Sequence, residues 1–397
     1  MSYNGAELNK GRVNTDVADF CTFFSLGLVS FGGPAAHIGY FRKTFVEELG
    51  WLDDKDYASL VALSQFLPGP GSSQVGFAIG YRRGALPGAI LAFIGFTLPS
   101  FLLMFLLAVS SYQYLSSDLF QGGIAGLKLL AVVVVADAAW GMFKQFCRSH
   151  ITQMLALLST VILLLWPGNL TQLLLLLAGA IVGLYWLNRE APAPAKSGSM
   201  QLNWSALLIF LFLLLLTGPL LAHPLAELFK QFYQTGAMVF GGGHVVLPLL
   251  ESQLANSIDH DRFLTGYALA QAVPGPMFSL AAYLGAELWP QDALVGASVA
   301  TLAIFLPGFL LLLAVIRGWQ GIAERPKMAA MVMGINATVV GLLASALYQP
   351  VFTSAVTRPV DMAMVLAGFM LLKLWRLPLV FLVLGFAAMG AISTLFM

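Results

Sequence analysis

Two Pro-Gly-Pro triplets inside otherwise apolar stretches have the clearest chemical consequence in this sequence: Pro68-Gly69-Pro70 and Pro274-Gly275-Pro276. Proline removes a backbone donor and clashes with the preceding turn, so a helix ends at each triplet and restarts after it. In a membrane, such a break survives only where it is buried in protein or lines an aqueous cavity. The restarted helix has unpaired N–H groups and about half a positive charge at its N-terminus. The triplets therefore predict an anion site near the midplane, the alternative being a tight loop between two complete helices.

Glutamines, serines and glycines near the triplets supply further groups for an anion. Gln65 and Gln271 precede the triplets at equivalent positions and can donate amide hydrogen bonds, while Ser72 and Ser73 can cap the restarted helix. Two glycine runs lie upstream, at 31–34 and 240–244, and they either complete the pocket or only allow close helix packing. The predicted substrate-binding residues are Gly32, Gly33, Gln65, Gly69, Ser72, Ser73, Lys128, Gly241, Gly242, Gln271 and Gly275. The predicted helix-breaking residues are Pro34, Pro68, Pro70, Pro274 and Pro276.

Lys128 is included because it lies near the middle of a long apolar segment, 119–143. A buried ammonium costs roughly 2.5–3.5 kcal/mol on membrane-insertion scales, so such a lysine is a functional candidate by default. The alternative is that its long stem carries the charge to the membrane surface. Asp137 falls on the opposite face of the same helix, near its end, so we do not expect the two to pair directly.

Weaker candidates for carrying protons are His37, His244, Glu48 and Glu287, of which the histidines titrate most easily near neutral pH. The sequence contains no Gly-x-Ser-x-Gly elbow and no His-Glu-x-x-His motif, which argues against an enzyme. Its two cysteines, Cys21 and Cys147, are far apart and it has only five histidines, which excludes a disulfide framework and a cysteine-rich metal site. We expect no cofactor and no metal.

The composition decides which elements must position these residues. Of 397 residues, 59% are hydrophobic and only 10% are charged, whereas a soluble protein carries about 25% charged residues. The net charge of +1, from 20 basic and 19 acidic residues, excludes nucleic acid as a partner. Residues 1–16 are polar, so no cleavable signal peptide is expected. The sequence therefore predicts an all-α polytopic membrane protein, with the lipid bilayer as its surroundings.

A bilayer core of about 30 Å needs roughly 20 apolar residues in each crossing helix, and the apolar segments are assigned on that basis. The first half has segments at 17–33, 55–82, 85–111, 119–143, 151–166 and 169–187. Segment 38–52 has the spacing of an amphipathic helix, which is either a helix lying along the membrane surface or, the favoured interpretation, a plain amphipathic connector. The second half has segments at 225–241, 258–287, 291–316, 327–348, 360–374 and 377–396. The predicted domains are a repeat at 1–188, a linker at 189–202, an extra transmembrane helix at 203–222 and a second repeat at 223–397.

Four landmarks recur in the same order in both halves, which indicates an internal duplication. Phe31-Gly32-Gly33-Pro34 corresponds to Phe240-Gly241-Gly242-Gly243, Gln65-Phe66-Leu67-Pro68-Gly69-Pro70 to Gln271-Ala272-Val273-Pro274-Gly275-Pro276, Phe96-Thr97-Leu98-Pro99 to Ile304-Phe305-Leu306-Pro307, and Gly126-Leu127-Lys128 to Gly334-Ile335-Asn336. Chance matches in apolar sequence would not keep that order. Because Lys128 aligns with the neutral Asn336, we expect one half to carry the fixed charge of the site.

Loop charges predict that the two halves are inverted relative to each other, because Lys and Arg mark inside loops. In the first half these residues cluster at 82–83 and 144–148, and in the second half at 317–327 and 373–376. Counting each interrupted pair as one crossing gives about 12–13 transmembrane helices, with the N-terminus inside and the C-terminus outside. Arg42, Lys43 and Lys55 would then lie outside. Re-entrant hairpins would lower the count and move that loop inside, and the sequence leaves the choice open.

These motifs, in order and duplicated over nearly the whole chain, resemble the chromate ion transporter family in its long two-domain form. The resemblance implies efflux of chromate across the bacterial cytoplasmic (inner) membrane, driven by the proton gradient, with sulfate as a related tetrahedral dianion. The residues by themselves predict only a transporter with anion sites. A transporter of sulfate or another anion, a channel and a membrane-embedded enzyme are the alternatives, and a homodimer is left open.

Overall fold

A computed structural model describes residues 18–31, 33–114, 117–188, 202–216, 223–241, 243–255, 257–319 and 326–394. Within these ranges the chain forms helices and turns and contains no β-strand, which confirms the all-α class. The predicted linker falls almost entirely outside the described residues. The predicted extra helix at 203–222 is described over its first part, as the helix Trp204–Leu216.

The helices begin and end within a few residues of the predicted segments. In the first half they are α1 (Ala18–Val29), α2 (Gly33–Arg42, continued by a π turn Lys43–Glu48), α3 (Asp54–Phe66), α4 (Gly71–Tyr114), α5 (Asp118–Phe146), α6 (His150–Leu165) and α7 (Asn169–Val182, continued by Gly183–Leu187). After α8 (Trp204–Leu216) follow α9 (Pro224–Met238), α10 (Val246–Leu254), α11 (His260–Ala272), α12 (Leu280–Leu288), α13 (Ala293–Val315), α14 (Pro326–Ala346), α15 (Pro359–Lys373) and α16 (Leu379–Ser393). Non-helical backbone at Gly84 and Ala85 divides α4 into a short arm, 71–83, and a long arm, 86–114.

The first Pro-Gly-Pro break forms the tip of a hairpin, because the chain returns after it to the end from which it came. Arg82, near the end of the short arm of α4, pairs with Asp56 in the first turn of α3 at 2.8 Å. Arg83 pairs at 2.9 Å with Asp19, near the start of α1. The interrupted pair is therefore re-entrant, which is the alternative that the sequence left open, and it does not count as one crossing.

A second hairpin is formed by α1 and α2, with Phe31, Gly33 and Pro34 at its tip. Phe23 of α1 packs against Phe41 and Phe45 of the returning chain, with ring centroids 6.2 Å and 4.9 Å apart, and all three side chains are fully buried. The segment 38–52, for which the sequence predicted a surface helix or a plain amphipathic connector, is thus the returning arm of this hairpin. Phe41 and Phe45 on its apolar face are buried because they have α1 to pack on, whereas Leu49 is exposed.

The second half repeats both hairpins. Arg262 in the first turn of α11 pairs with Glu287 near the end of α12 at 3.1 Å, so the chain also returns after the second Pro-Gly-Pro break. His260 at the start of α11 lies 3.3 Å from Glu251 in α10, which places the open ends of the two hairpins together.

The later helices pack across the boundary between the halves. α5 contacts α15 and α16 of the second half, and α14 contacts α6 and α7 of the first. Gly126 of α5 and Gly334 of α14, equivalent in the repeat, lie so close to the opposite helix that a side chain would collide with the carbonyl oxygens of Phe386 and Gly179 respectively. The reciprocal contacts give the arrangement an approximate two-fold relation.

Among the described residues, five stretches of helix are long and apolar enough to cross a membrane: Gly71–Ser110, Asp118–Phe146, Leu170–Leu187, Pro290–Val315 and Pro326–Ala355. Shorter apolar helices, among them His150–Leu165 and Leu379–Ser393, accompany them. The chain is accordingly a multi-pass membrane protein, and its hairpin tips are held inside the helix bundle.

Candidate functional site

The hairpin tips of the two halves meet inside the protein and are joined by reciprocal hydrogen bonds. The N–H of Gly69, in the first break, donates to the carbonyl of Val239 at 2.6 Å, just before the second glycine run. The N–H of Gly275, in the second break, donates to the carbonyl of Ser30 at 2.8 Å, just before the first glycine run. Each break is therefore anchored to the glycine run of the other half.

Only glycine fits at the centre of either break. Gly69 and Gly275 have φ values of 121° and 101°, which side-chain-bearing residues rarely adopt. A Cβ at Gly69 would lie 2.9 Å from Gly308 Cα, and one at Gly275 would lie 3.0 Å from Ser100 Cβ. Both contacts are made with the other half, immediately after the proline of its third repeated landmark. The breaks thus serve to bring backbone from the two halves together.

Helices begin at each tip, so several helix N-termini point into the same region. α2 begins at Gly33 and α4 at Gly71, while short 3-10 turns begin at Gly243 and Met277 and lead into α10 and α12. The first backbone N–H groups of a helix lack intrahelical partners and carry the positive end of its dipole. The convergence gives the centre of the protein a positive electrostatic character without a fixed charge.

A cavity of about 400 Å³ adjoins these tips. Its wall includes the N-terminal residues Pro34 of α2, Gly71 of α4 and Gly243 of the turn before α10. The remaining wall comes from the end of α3, the C-terminal part of α5, and the turn from α15 to α16. This volume lies in the range of about 300–1,000 Å³ that is usual for small-molecule sites.

Two residues with a formal charge line this cavity among the described part of the chain. Asp137 of α5 and Lys373 at the end of α15 form an ion pair across the boundary between the halves. Their side chains are 30% and 41% exposed, so both can be reached from the cavity. The other described lining residues are apolar or neutral polar groups, together with His244.

Both histidines at the tips hold neighbouring elements in place. His37 is fully buried; its Nε2 lies 3.1 Å from the Ser30 carbonyl oxygen and its Nδ1 lies 3.1 Å from Ser72 Oγ. Since a carbonyl can only accept, Nε2 carries the hydrogen and Nδ1 of the neutral ring accepts from the serine hydroxyl. His244 Nδ1 lies 3.4 Å from the Tyr267 hydroxyl.

The structure brings some of the predicted site residues to the cavity and places others elsewhere. Lys128 forms an ion pair with Asp261 at the start of α11, and its role as a ligand stays a prediction. Glu287 pairs with Arg262, and Glu48 lies 3.6 Å from Lys43. The predicted residues that line the cavity are Pro34, Gln65, Gly69, Ser72, Gly241 and His244. The predicted residues that do not line it are Gly33, His37, Glu48, Pro68, Pro70, Ser73, Lys128, Gln271, Pro274, Gly275, Pro276 and Glu287. Gly32 and Gly242 lie outside the described residues.

Sequence reasoning missed the charged pair in the cavity. The sequence places Asp137 near the end of its helix and Lys373 among the loop charges that set orientation. The available signal was an aspartate within a helix of high hydropathy, since such a carboxylate almost always has a partner. The partner could not be identified because it lies in the other half of the chain.

A second cavity, of about 330 Å³, occupies the position related by the repeat. It lies against the turn from α6 to α7, the helix α10 and the C-terminal part of α14. These elements correspond in the repeat to the turn from α15 to α16, the helix α2 and the C-terminal part of α5, which line the first cavity. Ser345 lines it at the position that aligns with Asp137. The two halves therefore offer related cavities of different charge.

Comparison with known families identifies the repeat. The sequence model of the family described as "Chromate transporter" matches residues 18–184 and again 226–391. The two matches confirm two homologous halves, since each half matches the same family by itself. No solved structure matches this chain.

Several curated proteins are similar over most of the chain. A "Chromate transport protein" of Cupriavidus metallidurans is 27% identical, over 94% of this chain and 91% of the relative. One of the same description from Pseudomonas aeruginosa is 28% identical, over 90% of this chain and 87% of the relative. A "Probable chromate transport protein" of Synechococcus elongatus is 26% identical, over 82% and 81%.

Proposed function

The chain belongs to the chromate transporter family, and from that premise we propose that it is a secondary transporter that exports chromate from the cytoplasm, coupled to the proton gradient. The observation that carries the proposal is the cavity of about 400 Å³ at the convergence of helix N-termini. The names of the relatives support chromate as the substrate. The absence of motifs for hydrolytic or metal chemistry in the sequence supports a transporter rather than an enzyme.

The cavity has the chemistry that a tetrahedral dianion needs. The oxygens of such an anion accept hydrogen bonds from backbone N–H groups at helix N-termini, and three of these N-termini border the cavity. Gln65 adds a side-chain donor. Sulfate has the same charge and geometry as chromate, so we expect it to compete for the site. His244, which lines the cavity, is the candidate proton carrier.

The hairpins support a topology with the N-terminus in the cytoplasm and the C-terminus in the periplasm, in the inner membrane. Arg42 bonds to Asp54, and Arg82 pairs with Asp56, so the basic residues of the first hairpins lie at one end of the molecule. In this topology that end is cytoplasmic, as the positive-inside rule requires. The first cavity then faces the cytoplasm and the second faces the periplasm, which is the arrangement used for alternating access.

The direct test is transport by the purified full-length protein in proteoliposomes. We expect saturable flux of radiolabelled chromate, faster when a pH gradient is imposed, and inhibition by sulfate. Flux that does not saturate would support a channel, and flux of sulfate without chromate would support the alternative substrate. No flux of either anion in vesicles that contain folded protein would contradict the proposal.

A variant of the break tests the role of the tips. Replacing Pro68 and Pro70 by Ala allows a more continuous helix and removes the exposed helix N-terminus, so we expect chromate flux to fall about tenfold or more. Pro359→Ala is the matched control, because Pro359 is an exposed residue at the first position of α15. Full flux from a normally inserted double variant would show that the break is only a loop.

A further inference from the structure

We propose that Asp137 is the internal counter-ion of Lys373: it pairs with the ammonium when the cavity is empty and releases it to the transported anion. By doing so, it allows the empty protein to change conformation and return for another anion. This inference rests on the proposed transport function and assigns to it a specific pair of residues.

The position of the pair supports the exchange of partners. Asp137 comes from the C-terminal part of α5 in the first half and Lys373 from the end of α15 in the second, yet both line the cavity that borders the helix N-termini. The Asp137 side chain is 30% exposed and the Lys373 side chain is 41% exposed, so neither is fully buried. An anion in the cavity can therefore reach the ammonium without a rearrangement of the backbone.

The charged residues that line the cavity also support the exchange of partners. Asp137 and Lys373 are the described lining residues with a formal charge, so the lysine is the fixed cation that an anion meets there. The carboxylate of Asp137 has the charge and hydrogen-bonding geometry of part of an oxyanion, and it competes for the same ammonium. His244 is the further titratable group that faces Asp137, which acts on it electrostatically.

The comparison between the halves shows that this pair is specific to one cavity. Ser345 lines the second cavity at the position equivalent to Asp137. Lys128, a mostly buried lysine of α5, is paired instead with Asp261, whose side chain is 74% exposed. A serine at the equivalent position shows that the architecture does not need a carboxylate there, so the carboxylate of Asp137 has a role beyond packing.

The physical consequence follows from the cost of an unpaired charge in a weakly polar surrounding. A conformational change that closes the cavity removes water from Lys373, and an ammonium without a partner makes that step expensive. The transported anion supplies the partner on the outward step, and Asp137 supplies it on the return step. Without Asp137 the protein can move only when an anion is bound, so it becomes an exchanger.

The experiment compares two modes of flux in proteoliposomes that contain the full-length protein and radiolabelled chromate. Net efflux is measured into chromate-free buffer, and exchange is measured with unlabelled chromate outside. We expect Asp137→Asn to keep exchange within about twofold of wild type and to lose net efflux by about tenfold or more. Lys373→Gln is expected to lose both fluxes, and Lys373→Arg to keep part of both because the charge is retained.

Controls and a second variant keep the result interpretable. Glu227→Gln and Lys230→Gln remove the partners of a pair within α9, 3.3 Å apart and outside the cavity, and both should behave as wild type. Asp137→Ser introduces the residue found at the equivalent position of the other half, and it should reproduce Asp137→Asn. In detergent, chromate should raise the unfolding temperature of Asp137→Asn at several-fold lower concentration than for wild type, because the competing carboxylate is absent.

The outcomes separate this inference from the proposed function. Net efflux at the wild-type rate in both Asp137 variants would overturn the counter-ion assignment. So would equal loss of net efflux and exchange in both variants, or weaker chromate binding by Asp137→Asn. If the folded wild-type protein carries neither flux, the proposed function fails and the assignment fails with it.

Discussion

The ion pair between Lys128 and Asp261 gives a prediction whose size depends on an unequal burial of the two partners. The Lys128 side chain is 12% exposed and the Asp261 side chain is 74% exposed. Removing the aspartate leaves an ammonium that is mostly buried, whereas removing the lysine leaves a carboxylate that is already in solvent. The two single variants should therefore differ in stability, although each breaks the same contact.

The expected magnitudes follow from two limits. A lysine at the centre of a membrane helix costs about 2.5–3.5 kcal/mol, and an exposed ion pair contributes about 0–1 kcal/mol. Because Lys128 retains some exposure and an exposed partner, we expect Asp261→Asn to lower the free energy of unfolding by about 1–3 kcal/mol. Lys128→Met should change it by less than about 1 kcal/mol, since it removes the buried charge itself.

The assay has two readouts, unfolding in detergent and the concentration dependence of chromate flux in proteoliposomes. If Lys128 acts only through Asp261, Lys128→Met should leave the half-saturating chromate concentration within about twofold of wild type. A several-fold increase in a normally folded variant would refute this reasoning and support Lys128 as the substrate ligand that the sequence predicts. Equal destabilisation by the two variants would refute the argument from burial. Lys230→Gln, in an ion pair within α9, is the matched control.

Three further predictions concern the architecture. A reporter fused after residue 149 should give a cytoplasmic signal and one fused after residue 357 a periplasmic signal. Matching signals would contradict the prediction that the two halves are inverted. Gly126→Leu should prevent stable folding because its side chain collides with α16, whereas Gly141→Leu, with open space around it, should be tolerated; equal yields of both would contradict the packing. Gly69→Ala should cost about 1–3 kcal/mol in the unfolding of the protein and lower chromate flux, because its φ of 121° is strained for alanine; an unchanged unfolding curve would contradict this.

Much of the fold could be predicted from the sequence because hydrophobicity and helix breaking are local properties. An apolar run long enough to cross a bilayer marks a helix, and a Pro-Gly-Pro triplet ends one whatever surrounds it. The order of the repeated landmarks revealed the two halves, which the family matches at 18–184 and 226–391 confirm. Gln65, Gly69 and Ser72, which the sequence marks beside the first break, line the cavity, and their role as substrate ligands stays a prediction.

The direction of the chain after each break could not be predicted from local sequence. A helix that restarts after Pro70 can continue across the membrane or turn back, and the local sequence is the same in both cases. The pairing of Arg82 with Asp56 determines that it turns back. The environment of segment 38–52 could likewise not be chosen, because an amphipathic pattern does not say whether its apolar face meets lipid or protein.

The helical class, the duplication and the helix breaks of this protein can be predicted from its residues, because each depends on the residue types within a short stretch of chain. Which of these features meet depends on how the helices pack. The reciprocal bonds of Gly69 and Gly275, and the ion pair of Asp137 with Lys373, join residues from different halves of the chain. A charge in an apolar helix has to find a partner, but the partner's identity depends on how whole helices pack, and no local pattern carries that information.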